Sequence, residues 1–91
     1  RRLARMNITL QLFGRFRDFA DAPELHLEFP GVTTTAEFRA AFEAWARAHW
    51  PDAAIALLQA SAIATDTTLL HPRTPLPADG RLALLPPVSG G

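Results

Sequence analysis

The sequence predicts an α+β fold in which one sheet of four to five strands packs on one main helix. Three observations carry that expectation. A segment near the start alternates apolar and polar residues, a middle segment has helical spacing behind a capping signal, and short strand-like runs lie on both sides of it. A chain of 91 residues suits one domain with one modest core.

The elements follow in order. Ile8, Leu10 and Leu12 alternate with Thr9, Gln11 and Phe13, which is the pattern of a half-buried strand. Phe13 breaks the polar face, so it is either covered by the next segment or an exposed contact. Residues 14–20 read as a short helical turn or loop, with Phe16 and Phe19 at i, i+3. Leu25, Leu27 and Phe29 then alternate with Glu24, His26 and Glu28 in a second strand closed by Pro30-Gly31. Thr34 and Glu37 have capping-box spacing. Phe38, Ala41, Phe42 and Trp45 share the face of the helix that follows, and Arg39, Glu43 and Arg47 take the other until Pro51 stops it. Residues 52–58 are apolar without a clear period. Residues 59–64 read as a third strand with a packing face of Ala60, Ala62 and Ala64. Leu69 and Leu70 suggest a short fourth strand. Residues 71–80 form a loop ending at Asp79-Gly80, and residues 81–85 a last strand ended by Pro86-Pro87.

Composition excludes several chemistries. There is no cysteine, so disulfides, zinc–thiolate sites and cysteine nucleophiles are out. His26, His49 and His71 lie in separate elements without metal-ligand spacing, and no metal site is expected. No glycine-rich loop opens a helix, and Arg15 and Arg17 make no basic stripe, so neither phosphate cradling nor nucleic-acid binding is expected. No apolar stretch approaches a membrane span. All nine basic residues are arginine. Without lysine, only the α-amino group of this chain could form an amide with its own activated C-terminus. From Met6 onward six arginines face nine acids, a net of −3. Met6 reads as the biological start, residues 1–5 as upstream or added sequence, and residues 6–91 as the domain. A basic targeting segment is the other reading of Arg1, Arg2 and Arg5, but the apolar run after it is short and broken by Gln11, Gly14 and Arg15.

The tail is the most informative part. Leu84-Leu85-Pro86-Pro87-Val88-Ser89-Gly90-Gly91 runs from a strand straight to the last residue. Proline fixes φ and holds the preceding residue extended, so the tail of residues 86–91 should leave the strand stiffly before it becomes flexible. Gly90 and Gly91 remove every Cβ beside the carboxylate, so that end can enter a channel too narrow for side chains. A stiff spacer with a thin reactive tip suits delivery of a carboxyl group into another protein's active site. Ser89 lies in no strand–turn–helix elbow and is not expected to be a nucleophile.

Two stretches, Leu12-Phe13-Gly14-Arg15-Phe16-Arg17-Asp18-Phe19 and Asp79-Gly80 through Gly91, resemble the small subunit of molybdopterin synthase, within the ubiquitin-like β-grasp sulfur carriers. The sequence departs from that pattern at Arg81 and Leu82, where an acidic pair is usual, and at Asp66, where asparagine is frequent. The resemblance implies a mixed β-grasp sheet and a cytoplasmic carrier that binds no cofactor itself. A ubiquitin-activating-like adenylyltransferase would use ATP to adenylate the Gly91 carboxylate, and a sulfur donor would convert it to a thiocarboxylate. The tail, with Pro86, Pro87, Val88, Ser89 and Gly90 as its spacer, would then insert into the large catalytic subunit and give sulfur to cyclic pyranopterin monophosphate. Docking is expected through the sheet face away from the helix. Phe13 and Arg17 are the candidate partner contacts, against a covered Phe13 and a solvated Arg17. Other readings of the same tail are a carrier for thiamine or tRNA thiolation, a ubiquitin-like protein modifier, and a plain interaction domain.

Overall fold

The computed structural model describes residues 5–87. The chain opens with a hairpin. Strand β1 (Arg5–Leu12) pairs antiparallel with β2 (Glu24–Pro30), in a ladder running from Arg5–Pro30 to Gln11–Glu24. The ladder thus starts one residue before Met6. Helix α1 (Phe16–Ala20) fills the connection and ends at Asp21, a left-handed residue with φ 55°. The alternation of β1 sends Ile8, Leu10 and Leu12 into the core and leaves Asn7 and Gln11 on the outside.

Helix α2 (Thr35–His49) starts at the expected capping box. The Thr34 hydroxyl accepts from the Glu37 backbone N–H at 3.2 Å, and Glu37 Oε1 accepts from the N–H groups of Thr33 and Thr34. Two N–H groups that a helix start leaves unpaired are thereby satisfied, and a further donor comes from the Thr33 hydroxyl. Phe38, Phe42 and Ala46 are fully buried against the sheet. Ala41 and Trp45, expected on this face, are half-buried at its margin. The rings of Phe38 and Phe42 stack at 5.7 Å, and Phe42 meets Trp50 edge-on at 5.5 Å. Each fully buried ring of this size is worth about 1.5–3 kcal/mol of transfer free energy.

The structure differs from the sequence reading at three places. Residues 52–58, unassigned by period, belong to a helix, α3 (Asp52–Gln59). Pro51 and Asp52 suit a helix start, and Ala53, Ala54, Ala56, Leu57 and Leu58 are good helix formers. The period was hidden because alanines occupy both the buried and the exposed face. The helix takes Gln59, and Ala60 caps it, so β3 is Ala62–Ala64 and not residues 59–64. Ala60 is exposed rather than part of a packing face. Leu69 and Leu70 make no strand. Leu69 forms an isolated bridge with Ala64, and the Leu70 N–H bonds the Ile63 carbonyl at 2.8 Å. The turn from His71 to Thr74 follows too closely for a longer ladder.

Strand β4 (Arg81–Leu85) has the predicted bounds and closes the architecture. It lies between β1 and β3 in a sheet of order β2-β1-β4-β3, parallel to β1 and antiparallel to β3. A parallel neighbour of the first strand requires a long crossover, which residues 31–80 provide. The sheet is mixed, with α2 on one face and the other face open. The Asp79-Gly80 turn registers β4: Asp79 Oδ1 accepts from the Arg81 N–H, and Gly80 gives its carbonyl to the Thr9 N–H at 2.9 Å.

Candidate functional site at the root of the tail

The ladders place the C-terminal end of β4 at the centre of one end of the sheet. Leu84 lies beside Leu12 of β1 on one side and Ile63 of β3 on the other, and Leu85 pairs with Ala62. The chain therefore leaves the sheet from an interior strand, flanked by structure on both sides. Pro86 is half-buried and Pro87 exposed. Val88, Ser89, Gly90 and the reactive candidate Gly91 lie outside the described residues.

Phe13 follows β1 directly and is one of two large apolar residues exposed among those described, at 36%; Leu69 is the other, at 67%. Leu69 bridges Ala64, which pairs with Ala83 of β4. Phe13 thus stands beside the β4 exit, and Leu69 lies on the other side of β4, one residue pair back from it, level with Ala64 and Ala83. Gln11 of β1 is level with Ala83, and further from the exit the open face turns polar, with Thr9 on β1, His26 on β2 and Arg81 on β4. A hollow of about 420 Å³ there is lined by Gln11, Thr65, Asp66, Asp79 and Arg81, among others.

Arg17 is held rather than free. Its Nε donates to the Leu12 carbonyl at 2.9 Å, and its guanidinium lies 5.7 Å from the centre of the Phe13 ring. It braces the exposed ring from the helix side while remaining solvent-exposed. Arg15 similarly approaches the Phe19 ring, at 5.7 Å.

One feature of the site was not read from the sequence. Gly14 has φ +59°, and a Cβ there would stand 3.1 Å from Pro86 Cγ. A glycine directly after an alternating strand hints at a special backbone, but its partner, 72 residues away, leaves no local signal.

Among the described residues no group of histidines and carboxylates could hold a metal ion, and no helix is long and apolar enough to cross a membrane. Two displaced carboxyls among the described residues are structural. Glu37 is held below the ordinary carboxylate value chiefly by the Thr33 N–H, then by the Thr33 hydroxyl and the Thr34 N–H. Glu43 is lowered first by its hydrogen bond from Arg47, a 2.9 Å pair expected from the i, i+4 spacing. The site offers a protected exit for a chain end, beside exposed apolar side chains.

A mixed sheet of this order on one long helix, with the last strand at its centre running into the C-terminal tail, defines a ubiquitin-like β-grasp protein. The chain belongs to the ThiS family, the ubiquitin-like sulfur carriers, whose family model matches residues 10–91. Among solved structures it is similar to the crystal structure of SAMP1 from Haloferax volcanii, with a TM-score of 0.63 and 20% sequence identity over 93% of this chain and 99% of that one. That likeness bears on the fold. No curated protein matches the chain.

Proposed function

We propose that this chain is the sulfur-carrying small subunit of molybdopterin synthase. The observation that carries the carrier reading is the exit of β4: an interior strand hands Leu85 and Pro86 to an exposed end of the sheet, and Gly90-Gly91 follow four and five residues past Pro86. The Pro-Pro-Val-Ser-Gly-Gly ending, through its resemblance to that subunit, supports the particular pathway.

The chemistry needs an activated carboxylate. The Gly91 carboxylate attacks the α-phosphorus of ATP on a ubiquitin-activating-like adenylyltransferase, and pyrophosphate leaves. Sulfide from a sulfur donor, as HS⁻, then attacks the carbonyl carbon of the acyl-adenylate, AMP leaves, the S–H proton is lost, and a thiocarboxylate remains. That group is anionic at neutral pH and nucleophilic at sulfur. Inserted into the large catalytic subunit, it delivers sulfur to cyclic pyranopterin monophosphate. ATP is bound by the activating partner, and this chain holds no cofactor. Phe13, braced by Arg17, with Leu69 and the small residues between them, offers the docking surface around the tail. A cycle of this kind belongs in the cytoplasm.

The first experiment is a mass determination on the peptide released by cleavage after Arg81, following incubation with the activating enzyme, ATP and a sulfur source. Exchange of one oxygen for sulfur within residues 82–91 is the expected result. An unchanged peptide, with an enzyme active on another carrier, would overturn the carrier reading. Co-purification with a large subunit that binds cyclic pyranopterin monophosphate separates this pathway from thiamine or tRNA thiolation.

A further inference from the structure

The end of β4 and the turn after β1 meet at one point. Because β1 and β4 are parallel and Leu12 lies beside Leu84, Leu85 and Pro86 leave the sheet next to Phe13 and Gly14. At Gly14 the fit is close: a Cβ would stand 3.1 Å from Pro86 Cγ and 4.0 Å from Pro86 Cβ. The turn that carries Gly14 is fixed from several sides. Arg17 Nε bonds the Leu12 carbonyl at 2.9 Å. The N–H groups of Phe16 and Arg17 bond the carbonyls of Phe13 and Gly14. Phe16 is fully buried, with its ring stacked 6.0 Å from that of Trp50. The other half of the contact is a proline, whose ring fixes φ. Two rigid pieces therefore meet at a residue without a side chain.

We propose that Gly14 is a positioning residue for the reaction of the C-terminus: its bare Cα seats the Pro86 ring, and this seat sets the direction in which the tail leaves the sheet. The kinetic consequence rests on the sulfur-carrier reading; the structural one rests on the contact alone. The reacting carboxylate stands five residues past Pro86. An extended chain of that length spans roughly 17 Å, so a tilt of about 10° at its root displaces the end by roughly 3 Å. Misplacement of a reacting group by about 1 Å can cost up to about 100-fold in rate. A seated root also lowers the ordering cost of threading the tail into a narrow channel.

Two measurements test this. With the activating enzyme and ATP, Gly14→Ala should lower kcat for ATP–pyrophosphate exchange roughly tenfold and leave KM within about twofold, because the docking surface is intact. Pro86→Ala, which removes the seated ring, should do the same. The double variant should lose no more than about twofold beyond either single one, because both changes break one contact. A rise in KM at unchanged kcat would assign Gly14 to docking instead. Fully multiplicative losses would mean unrelated strain at φ +59°. Either result overturns the proposal.

The second measurement needs no enzyme. The chain has no cysteine, so Ala48→Cys on the exposed side of α2 and Ser89→Cys accept two spin labels without competition. The distance distribution between them should broaden or shift in both Gly14→Ala and Pro86→Ala. Should Gly14→Ala fail to fold, Pro86→Ala carries the comparison alone. An unchanged distribution in the variants overturns the seat. If the unmodified protein supports no exchange at all, the carrier reading fails, and the label distances still decide whether Gly14 aims the tail.

Discussion

Gly80 shows how strictly a single residue can be bound to this fold. Its φ is +69°, and a Cβ would collide with the carbonyl oxygen of Asn7. Its own carbonyl accepts from the Thr9 N–H. The obstructing atom belongs to the backbone of β1, so no change of rotamer relieves the clash. Gly80→Ala should cost about 3 kcal/mol or more, from left-handed strain and from displacement of β4. The urea midpoint, read at constant m-value, checks this; a loss below about 1 kcal/mol would mean the turn re-forms elsewhere. Arg39 illustrates the opposite kind of dependence, a side chain that completes other residues' hydrogen bonds. It donates to the carbonyls of Leu58 at 3.1 Å and Ser61 at 2.7 Å, joining α2 to the end of α3. Arg39→Met keeps the apolar stem and removes the donors. It should cost about 1–3 kcal/mol and raise amide exchange at residues 60–62. Exchange unchanged at those amides would show that solvent satisfies the carbonyls equally well.

At the scale of elements, α2 depends on its first turn. Thr34→Ala removes the acceptor for the Glu37 N–H and should cost about 1 kcal/mol, read by chemical denaturation. Glu37 adds a pH dependence of known sign. Its carboxyl is lowered from the ordinary 4.5 by donors from Thr33 and Thr34, so the folded state binds its proton less readily than the unfolded chain. The stabilisation is present above about pH 4.5 and is lost as pH falls through the lower folded value. Between pH 6 and pH 3 the parent should lose more stability than Glu37→Gln, and equal slopes would refute the assignment. The same elements show what a sequence displays. The α2 cap, the β1 alternation and the bounds of β4 were legible because each is a local pattern ended by a turn or proline. Helix α3 was not, since alanine is compatible with either face. Arg39 was placed on the solvent side because a helical wheel does not know that carbonyls 58 and 61 approach it. The site was legible in part: the tail and Phe13 are sequence features, whereas the Gly14–Pro86 contact exists only once β1 and β4 are parallel neighbours, and the bracing by Arg17 only once the turn after β1 folds its side chain back on Leu12 and Phe13.

For the whole molecule, the architecture separates holding a partner from reacting with it. On the proposed reading, the docking residues Phe13 and Leu69 border the sheet, and the reacting group, Gly91, lies beyond it in the tail. Binding and chemistry should therefore be lost independently. Phe13→Asp and Leu69→Asp each place a charge on the exposed apolar surface beside the exit, at positions exposed by 36% and 67%. Each should weaken binding to the activating enzyme about tenfold, or about 1.4 kcal/mol, while the unfolding midpoint stays within the range of surface substitutions, about 0.5 kcal/mol. Deleting Gly91 should do the reverse. The docking surface is untouched, so Kd by calorimetry should stay within a few-fold, whereas pyrophosphate exchange should vanish because the shortened carboxylate stops one residue short of the nucleotide. Loss of binding on deletion of Gly91 would mean that the tail itself supplies most of the affinity. The apolar pair would then be ordinary exposed surface, and the sheet would serve only to hold up the tail.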